Sequence, residues 1–278
     1  MYKLIKALKN KGLKTENLKQ EIRLFLVAVQ FLTRLPMPAL NNYQPLWLQQ
    51  SAKYFPLTGL LIGGLTALVF AVLFWLINPW VAAIGSTAFS IRLTGAFHED
   101  GLADSCDGLG GSFTREGALN IMKDSRLGTY GTLGLVMALA LKVSLLASLS
   151  LPLAVVALVL AHGFSRFFSI LLLSFLPYAG DLEHAKAKPM AQSLDKRQAA
   201  FALLTLVPSL LLPWLVLGSL PLGSLLLAWL LMLFTTSYMA RLLNRRLGGY
   251  TGDGLGATQQ LAELAFYLTF AALAGGQF

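Results

Sequence analysis

Seven runs of mostly apolar residues limit what this chain can become. They cover roughly 55–77, 79–97, 129–149, 152–176, 200–218, 221–240 and 259–275. A helix needs about 20 such residues to cross a hydrocarbon core about 30 Å thick. The fifth run contains Pro208 and Pro213 and is expected to kink. The last run is short and alanine-rich. The 278-residue chain is 56% apolar and 13% charged, whereas a soluble domain carries about 25% charged residues. Its mean hydropathy is +0.65. These values exclude a disordered chain and a coiled coil, and they point away from a soluble enzyme. A lone cysteine, Cys106, excludes a disulfide scaffold. The expected fold is all-α, a polytopic integral membrane bundle of about seven transmembrane helices. Residues 1–278 are expected to form a single membrane-embedded domain, because no polar stretch is long enough for a second one.

Charge placement gives the expected orientation. The net charge is +9, with 22 Lys and Arg against 13 Asp and Glu. Residues 1–34 are rich in lysine, Lys53 precedes the first run, and the connectors 98–128, 177–199 and 241–258 carry most other cations. Only Arg92, Lys142 and Arg166 lie inside apolar runs. The alternate connectors, around Asn78, 150–151 and 218–220, carry no charge. Cations collect on the cytoplasmic side of a membrane protein. The N-terminus and the three charged connectors are therefore expected in the cytoplasm, with the lipid bilayer, not nucleic acid, as the partner of the positive charge. No cleavable signal peptide is expected, since Arg34-Leu-Pro-Met-Pro follows the first apolar stretch. Leu18, Ile22, Phe25, Val29 and Leu32 recur at helical spacing. Residues 1–34 are thus expected to form a basic amphipathic helix, lying in the interface or packed on the bundle.

The acids are few and clustered. Glu99, Asp100, Asp104, Asp107, Glu116 and Asp124 fall in connector 98–128, and Asp253 and Glu263 fall in or just after connector 241–258. Asp100, Asp104 and Asp107 are spaced i, i+4, i+7 and share one helical face. Like charges at that spacing repel. A divalent cation reverses the sign, and hard carboxylate oxygens suit Mg²⁺ or Mn²⁺. Glu99, Asp100, Asp104, Asp107 and Asp124 are therefore the expected metal ligands. Gly101, Gly108, Gly110 and Gly111 leave room for close backbone approach to a ligand. Lys123 and Arg126, beside these acids, suit contacts to a metal-bound diphosphate. A third glycine-rich piece, Gly248-Gly-Tyr-Thr-Gly-Asp-Gly-Leu-Gly, offers Gly252, Asp253 and Gly254 for binding an anion or completing a metal shell. It is not a phosphate-binding Walker loop, because no Gly-Lys-Ser/Thr follows. Arg166 lies four residues from His162 on one helical face and is deep enough to reach a phosphate or pair with a carboxylate. Lys142 receives no role.

Three motifs together resemble the cobalamin synthase family, the adenosylcobinamide-GDP ribazoletransferases. They are Phe97-His-Glu-Asp-Gly-Leu-Ala-Asp-Ser-Cys-Asp-Gly, Met122-Lys-Asp-Ser-Arg-Leu-Gly-Thr-Tyr-Gly and Gly249-Tyr-Thr-Gly-Asp-Gly-Leu-Gly-Ala. Phe31-Leu-Thr-Arg-Leu-Pro also fits, and the resemblance runs from about residue 20 onward. It implies a catalytic domain in a bacterial inner membrane, acting late in coenzyme B12 assembly. Such enzymes join adenosylcobinamide-GDP to α-ribazole or its 5′-phosphate, release GMP and require Mg²⁺. In that chemistry Asp104 or Asp107 takes the proton of the ribazole 3′-hydroxyl, and Lys123 and Arg126 contact phosphate oxygens. A homo-oligomer and docking of other B12-assembly enzymes are both open on sequence. Two rivals stand beside this reading. A CDP-alcohol phosphotransferase shares the chemistry, but its motif needs Arg where Asp104 follows Ala103. A divalent-cation transporter should hold its acids near the bilayer midplane, whereas almost all of these lie outside the apolar runs.

Overall fold

The computed structural model describes residues 2–39, 43–180, 193–219 and 221–274, with side chains from residue 17 to residue 273. Lys186, Lys188 and the side chains of Lys3, Lys6, Lys9, Lys11 and Lys14 lie outside the described residues. The fold is all-α. Its helices are α1 (Tyr2–Leu32), α2 (Pro45–Ser51), α3 (Phe55–Leu76), α4 (Pro79–Thr94), α5 (Phe97–Gly111), α6 (Arg115–Lys123) and α7 (Thr129–Ala147). They continue as α8 (Leu151–Ile170), α9 (Leu172–Phe175), α10 (Lys196–Leu206), α11 (Leu211–Leu217), α12 (Leu222–Leu247) and α13 (Gly252–Ala274). Extended pairing among the described residues is limited to one parallel bridge between Tyr178 and Tyr250.

Among the described residues, five segments are long and apolar enough to cross a membrane: Pro45–Leu76, Thr129–Ala147, Leu151–Phe175, Lys196–Leu217 and Leu222–Leu247. The other two expected runs are helical but different in kind. Helix α4 has 16 residues, and α13 has 23 and starts at Gly252 instead of 259. The expected kink is a 3₁₀ turn, Val207–Leu210, that contains Pro208 and separates α10 from α11. Outward-facing Leu215, Leu230 and Phe234 are exposed, which suits an apolar solvent on that side.

Glycine sets the closest crossing. A Cβ at Gly63 would stand 2.6 Å from the carbonyl oxygen of Leu158 and 2.8 Å from Cα of Val159. A Cβ at Gly59 would run into the carbonyl of His162. The Gly59-x-x-x-Gly63 spacing thus lets α3 and α8 touch backbone to backbone. Helix α13 is the hub of the bundle and packs on α5, α7, α8 and α12. Its Ala262, Phe266 and Tyr267 are fully buried.

The N-terminal helix packs on the bundle through the second half of the expected stripe, where Val29 and Leu32 are buried and Phe25 packs on the core. Leu24, Ala28 and Leu32, four apart, are buried, whereas Leu18 and Ile22 are exposed. Polar contacts pin α1 as well. Glu21 pairs with Lys53 at 2.6 Å and accepts from the Tyr54 hydroxyl at 2.7 Å. The Arg23 guanidinium sits 4.7 Å from the Trp47 ring centroid. Between α4 and α5, Gly95 and Ala96 both adopt left-handed φ angles, 71° and 61°. This turn ends α4 and launches α5.

Candidate active site

The two expected active-site loops are mostly helix. Residues 98–128 fold as α5, α6 and short connectors, and 241–258 comprises the end of α12, a turn and the first two turns of α13. Asp100, Asp104 and Asp107 do share one face of α5, graded from exposed through half-buried to buried. Their neighbour across the bundle is Asp253. A Cβ on Gly101 would lie 2.9 Å from the Asp253 carbonyl oxygen and 3.0 Å from its Cα. Gly256 returns the contact: a Cβ built on it would stand 3.4 Å from Gly101 Cα. These glycines serve a helix crossing, not the ligand approach expected from sequence. Gly108 likewise packs on Met122 and Ala118, and Gly110 on the Tyr130 ring.

Asp253 occupies the first turn of α13, where the helix dipole favours an anion. Thr251 Oγ1 caps that turn, accepting from the Gly254 N–H at 3.0 Å. Gly254 itself packs on Leu243 of α12, 2.9 Å from its methyl carbons if given a Cβ. Burial, then the negative charge of Asp100, Asp253 and Asp107, raises the Asp104 carboxyl to about 7. Burial and Asp100 raise Asp253 to about 6. Two motifs far apart in the chain thus build one overcharged acidic patch. Among the described residues, no three His, Cys, Asp or Glu side chains form a ready-made metal cage.

Asp107 has a second task. Its Oδ2 accepts from the Gly128 N–H at 2.7 Å and its Oδ1 from the Gly131 N–H at 2.8 Å. It therefore caps the start of α7 from outside the helix, using both oxygens. Side chains at Gly128 or Gly131 would collide with that carboxylate. Asp124 and Arg126 pair with each other at 2.6 Å on the exposed connector between α6 and α7. Hydrogen bonds from Arg126 hold the Asp124 carboxyl below its usual range. Lys123 ends α6 and is exposed.

Glu99 turns away from the acidic patch into the bundle. It is buried, and its Oε1 accepts from Gln260 Nε2 at 3.1 Å, while Oε2 has no partner. Gln260 also donates to Gln259 Oε1 at 3.0 Å, and Gln259 donates to Glu263 Oε2 at 2.7 Å. Glu263 is not beside the loop, as expected, but deep in α13. It pairs with Lys142 at 2.6 Å and accepts from the Tyr267 hydroxyl at 3.0 Å. His162 Nδ1 lies 3.5 Å from Glu263 and 3.2 Å from Arg166 Nη1. A continuous buried polar network thus joins α5, α7, α8 and α13.

Sequence reasoning missed this network. The signal was present: Lys142 inside an apolar run demands an acid, and Glu263 supplies it. Arg115 was missed as well. It donates to the carbonyls of Leu247, at 2.6 Å, and Ala179, at 2.9 Å. Arg246 donates to the Ser112 carbonyl. These bonds tie α6 to the end of α12, where Gly248 has φ 76°. Arg166 and Gly252 meet differently from the rest, as two walls of one cavity.

Residues 24–271 match the cobalamin-5-phosphate synthase family. The chain belongs to this family. It is 50% identical over 255 residues to an adenosylcobinamide-GDP ribazoletransferase of Leptothrix cholodnii, covering 89% of this chain and 94% of the relative. Relatives with the same name in Shewanella piezotolerans (43% identical, 90% and 95% covered) and Vibrio parahaemolyticus (41%, 95% and 97%) are similar over nearly their whole length. No solved structure matches. Family membership accounts for all three motifs, since the match spans each of them.

Proposed function

We propose that this chain is an adenosylcobinamide-GDP ribazoletransferase. It joins adenosylcobinamide-GDP to α-ribazole or its 5′-phosphate and releases GMP. The observation that carries the site assignment is the convergence of Asp100, Asp104 and Asp253, from two separate family motifs, on one patch. The family match leaves the phosphotransferase and transporter rivals without support.

Mg²⁺ fits the donors of this patch. They are hard carboxylate oxygens, and burial, together with the negative charge of neighbouring aspartates, lifts Asp104 to about 7 and Asp253 to about 6. An open arrangement suits this ion, which keeps waters and binds substrate phosphates in preference to an all-protein cage. Asp100, Asp104 and Asp253 would hold it, and it would neutralise charge on the diphosphate.

The chain's own residues do the rest. The ribazole 3′-hydroxyl oxygen bonds to the phosphorus on the cobinamide side, and the bond from that phosphorus to the GMP oxygen breaks. The hydroxyl proton passes to a carboxylate. Asp104 is better placed for it than Asp107, whose two oxygens already accept backbone bonds. Lys123 and Arg126 carry positive charge on the neighbouring connector for the departing GMP phosphate. Arg126 must leave Asp124 to do so. Glu99 and Asp107 position α5 and α7.

The charged connectors face the cytoplasm of a bacterial inner membrane, supported by the cation-free connectors at the opposite ends. The deciding experiment is GMP release by purified protein given both substrates and Mg²⁺. Release with formation of the lower-ligand cobamide, abolished by EDTA and by Asp104→Asn, supports the reading. Activity surviving Asp104→Asn would remove the carboxylate site from it.

A further inference from the structure

The crossing of α5 and α13 is smooth at its closest point. Helices ordinarily lock through interdigitating ridges of side chains, and here glycine meets glycine. A Cβ on Gly256 would stand 3.4 Å from Cα of both Gly101 and His98, and one on Gly101 would meet the Asp253 backbone. Across this surface the charge of Asp253 acts on Asp104, and that of Asp100 on Asp253. A slide of α13 along α5 would therefore change the gap that a divalent cation has to span.

A directional contact lies just beyond the glycines. Asp253, Gly256 and Gln260 are spaced i, i+3, i+7 and share one face of α13. Gln260 Nε2 donates to Oε1 of Glu99, the neighbour of Asp100 in the chain, at 3.1 Å. The two residues are 5% and 6% exposed, and polar groups so placed are costly unless they are hydrogen-bonded. The amide is also aimed from behind. Its nitrogen donates a second time, to Gln259 Oε1 at 3.0 Å. Gln259 is held in turn by donating to Ser165 Oγ at 2.8 Å and Glu263 Oε2 at 2.7 Å. Lys142 pairs with that same Glu263. The orientation of Gln260 is thus fixed by groups on α7, α8 and α13, and it delivers that constraint to α5.

We infer that Gln260 is a positioning residue for the acidic patch: its bond to Glu99 sets the register of α13 on α5, and with it the separation of Asp253 from Asp100 and Asp104. The inference rests on the metal reading of the proposed function and deepens it. Gln260 touches neither substrate nor metal and acts through the helices that carry the aspartates. Glu99 serves as the acceptor of this bond and not as a metal ligand.

Titration of the purified full chain in detergent with Mn²⁺, followed by the EPR signal of the free ion and without substrate, tests this apart from turnover. Mn²⁺ takes the same hard oxygen ligands as Mg²⁺. Gln260→Met keeps the length of the side chain and loses the donor. It should raise the Mn²⁺ dissociation constant about tenfold, the weight usual for a residue that orients metal ligands. A role in stability alone would lower the number of sites per chain and leave their affinity as it is, and that result overturns the inference. Glu99→Gln keeps an acceptor oxygen for Gln260 and should stay within about threefold of the wild type. A loss in Glu99→Gln as large as that in Gln260→Met would mean that Glu99 acts by its charge, and it also overturns the inference. Should Gln260→Met not fold, Gln260→Asn, whose amide is one methylene short of Glu99, carries the same expectation and the same refutation. The two claims fail separately. Wild-type affinity in the Gln260 variants would sink the positioning role and leave the metal site standing. A wild type that binds no Mn²⁺ would sink the metal site itself, and this role with it.

Discussion

Gly101 lies so close to Asp253 that a methyl group on it would stand 2.9 Å from the Asp253 carbonyl oxygen. This contact seats α13 on α5 and brings the fourth aspartate to the other three. Gly101→Val is expected to push the helices apart and cost about 1–3 kcal/mol, as overpacking does. Its activity should fall further than its stability, because Asp253 leaves the patch. Thermal unfolding and GMP release on the same preparation check this. Full activity would show that the crossing does not assemble the site.

Asp104 and Asp107 should separate in mutagenesis. Asp107→Ala leaves the N–H groups of Gly128 and Gly131 without their acceptor, a loss of about 1–3 kcal/mol. Asp104→Asn removes a repelling charge and should leave the protein at least as stable while abolishing turnover. Thermal midpoints of the two variants decide. A destabilised Asp104→Asn with a neutral Asp107→Ala would reverse the assignment.

The raised carboxyls give a signed pH dependence. Asp104 at about 7 and Asp253 at about 6 hold protons in the folded state that ordinary unfolded aspartates release near pH 4. Their contribution to stability is therefore complete below about pH 4 and is lost as pH rises toward 7. In EDTA, the thermal midpoint should drop across that window, less steeply in Asp104→Asn. Saturating Mg²⁺ should flatten the slope, since it replaces protons as the counter-charge. An identical slope with and without Mg²⁺ would argue against a cation at this patch.

The buried pair Lys142 and Glu263 should behave non-additively. Lys142→Met alone leaves Glu263 buried without its cation and should cost about 3–5 kcal/mol. Adding Glu263→Gln should recover much of that loss, because an amide needs no counter-charge. Unfolding of the two single variants and the double variant measures the coupling. Simple additivity would mean that the 2.6 Å contact has little energetic weight.

Much of the architecture was legible because the bilayer imposes it. Run length marks a span, and the acid spacing in α5 shows one face. The three motifs led to the family. What escaped the sequence depends on partners distant in the chain. A run with Gln259, Gln260 and Glu263 looks like a poor span until Lys142 and Glu99 are seen across from it. Gly101 reads as a ligand contact until α13 is laid against it. Asp107 reads as a ligand until Gly128 and Gly131 are found to donate to it. The N-terminal stripe holds at Phe25, Val29 and Leu32 and fails at Leu18 and Ile22. A regular apolar spacing does not say how far along a helix the partner surface extends, or that Leu24 and Ala28 beside the stripe are buried with it.

The central position of α13 also imposes an order in time. Ribosomes make the chain from its N-terminus, so α5 and its three aspartates are finished long before Gly252–Ala274. During that interval Lys142 has no Glu263, Glu99 has no Gln260, and Asp100 has no Asp253. Until that segment joins the bundle these polar residues lack the partners they have in the folded chain, and the acidic patch lacks one of its aspartates.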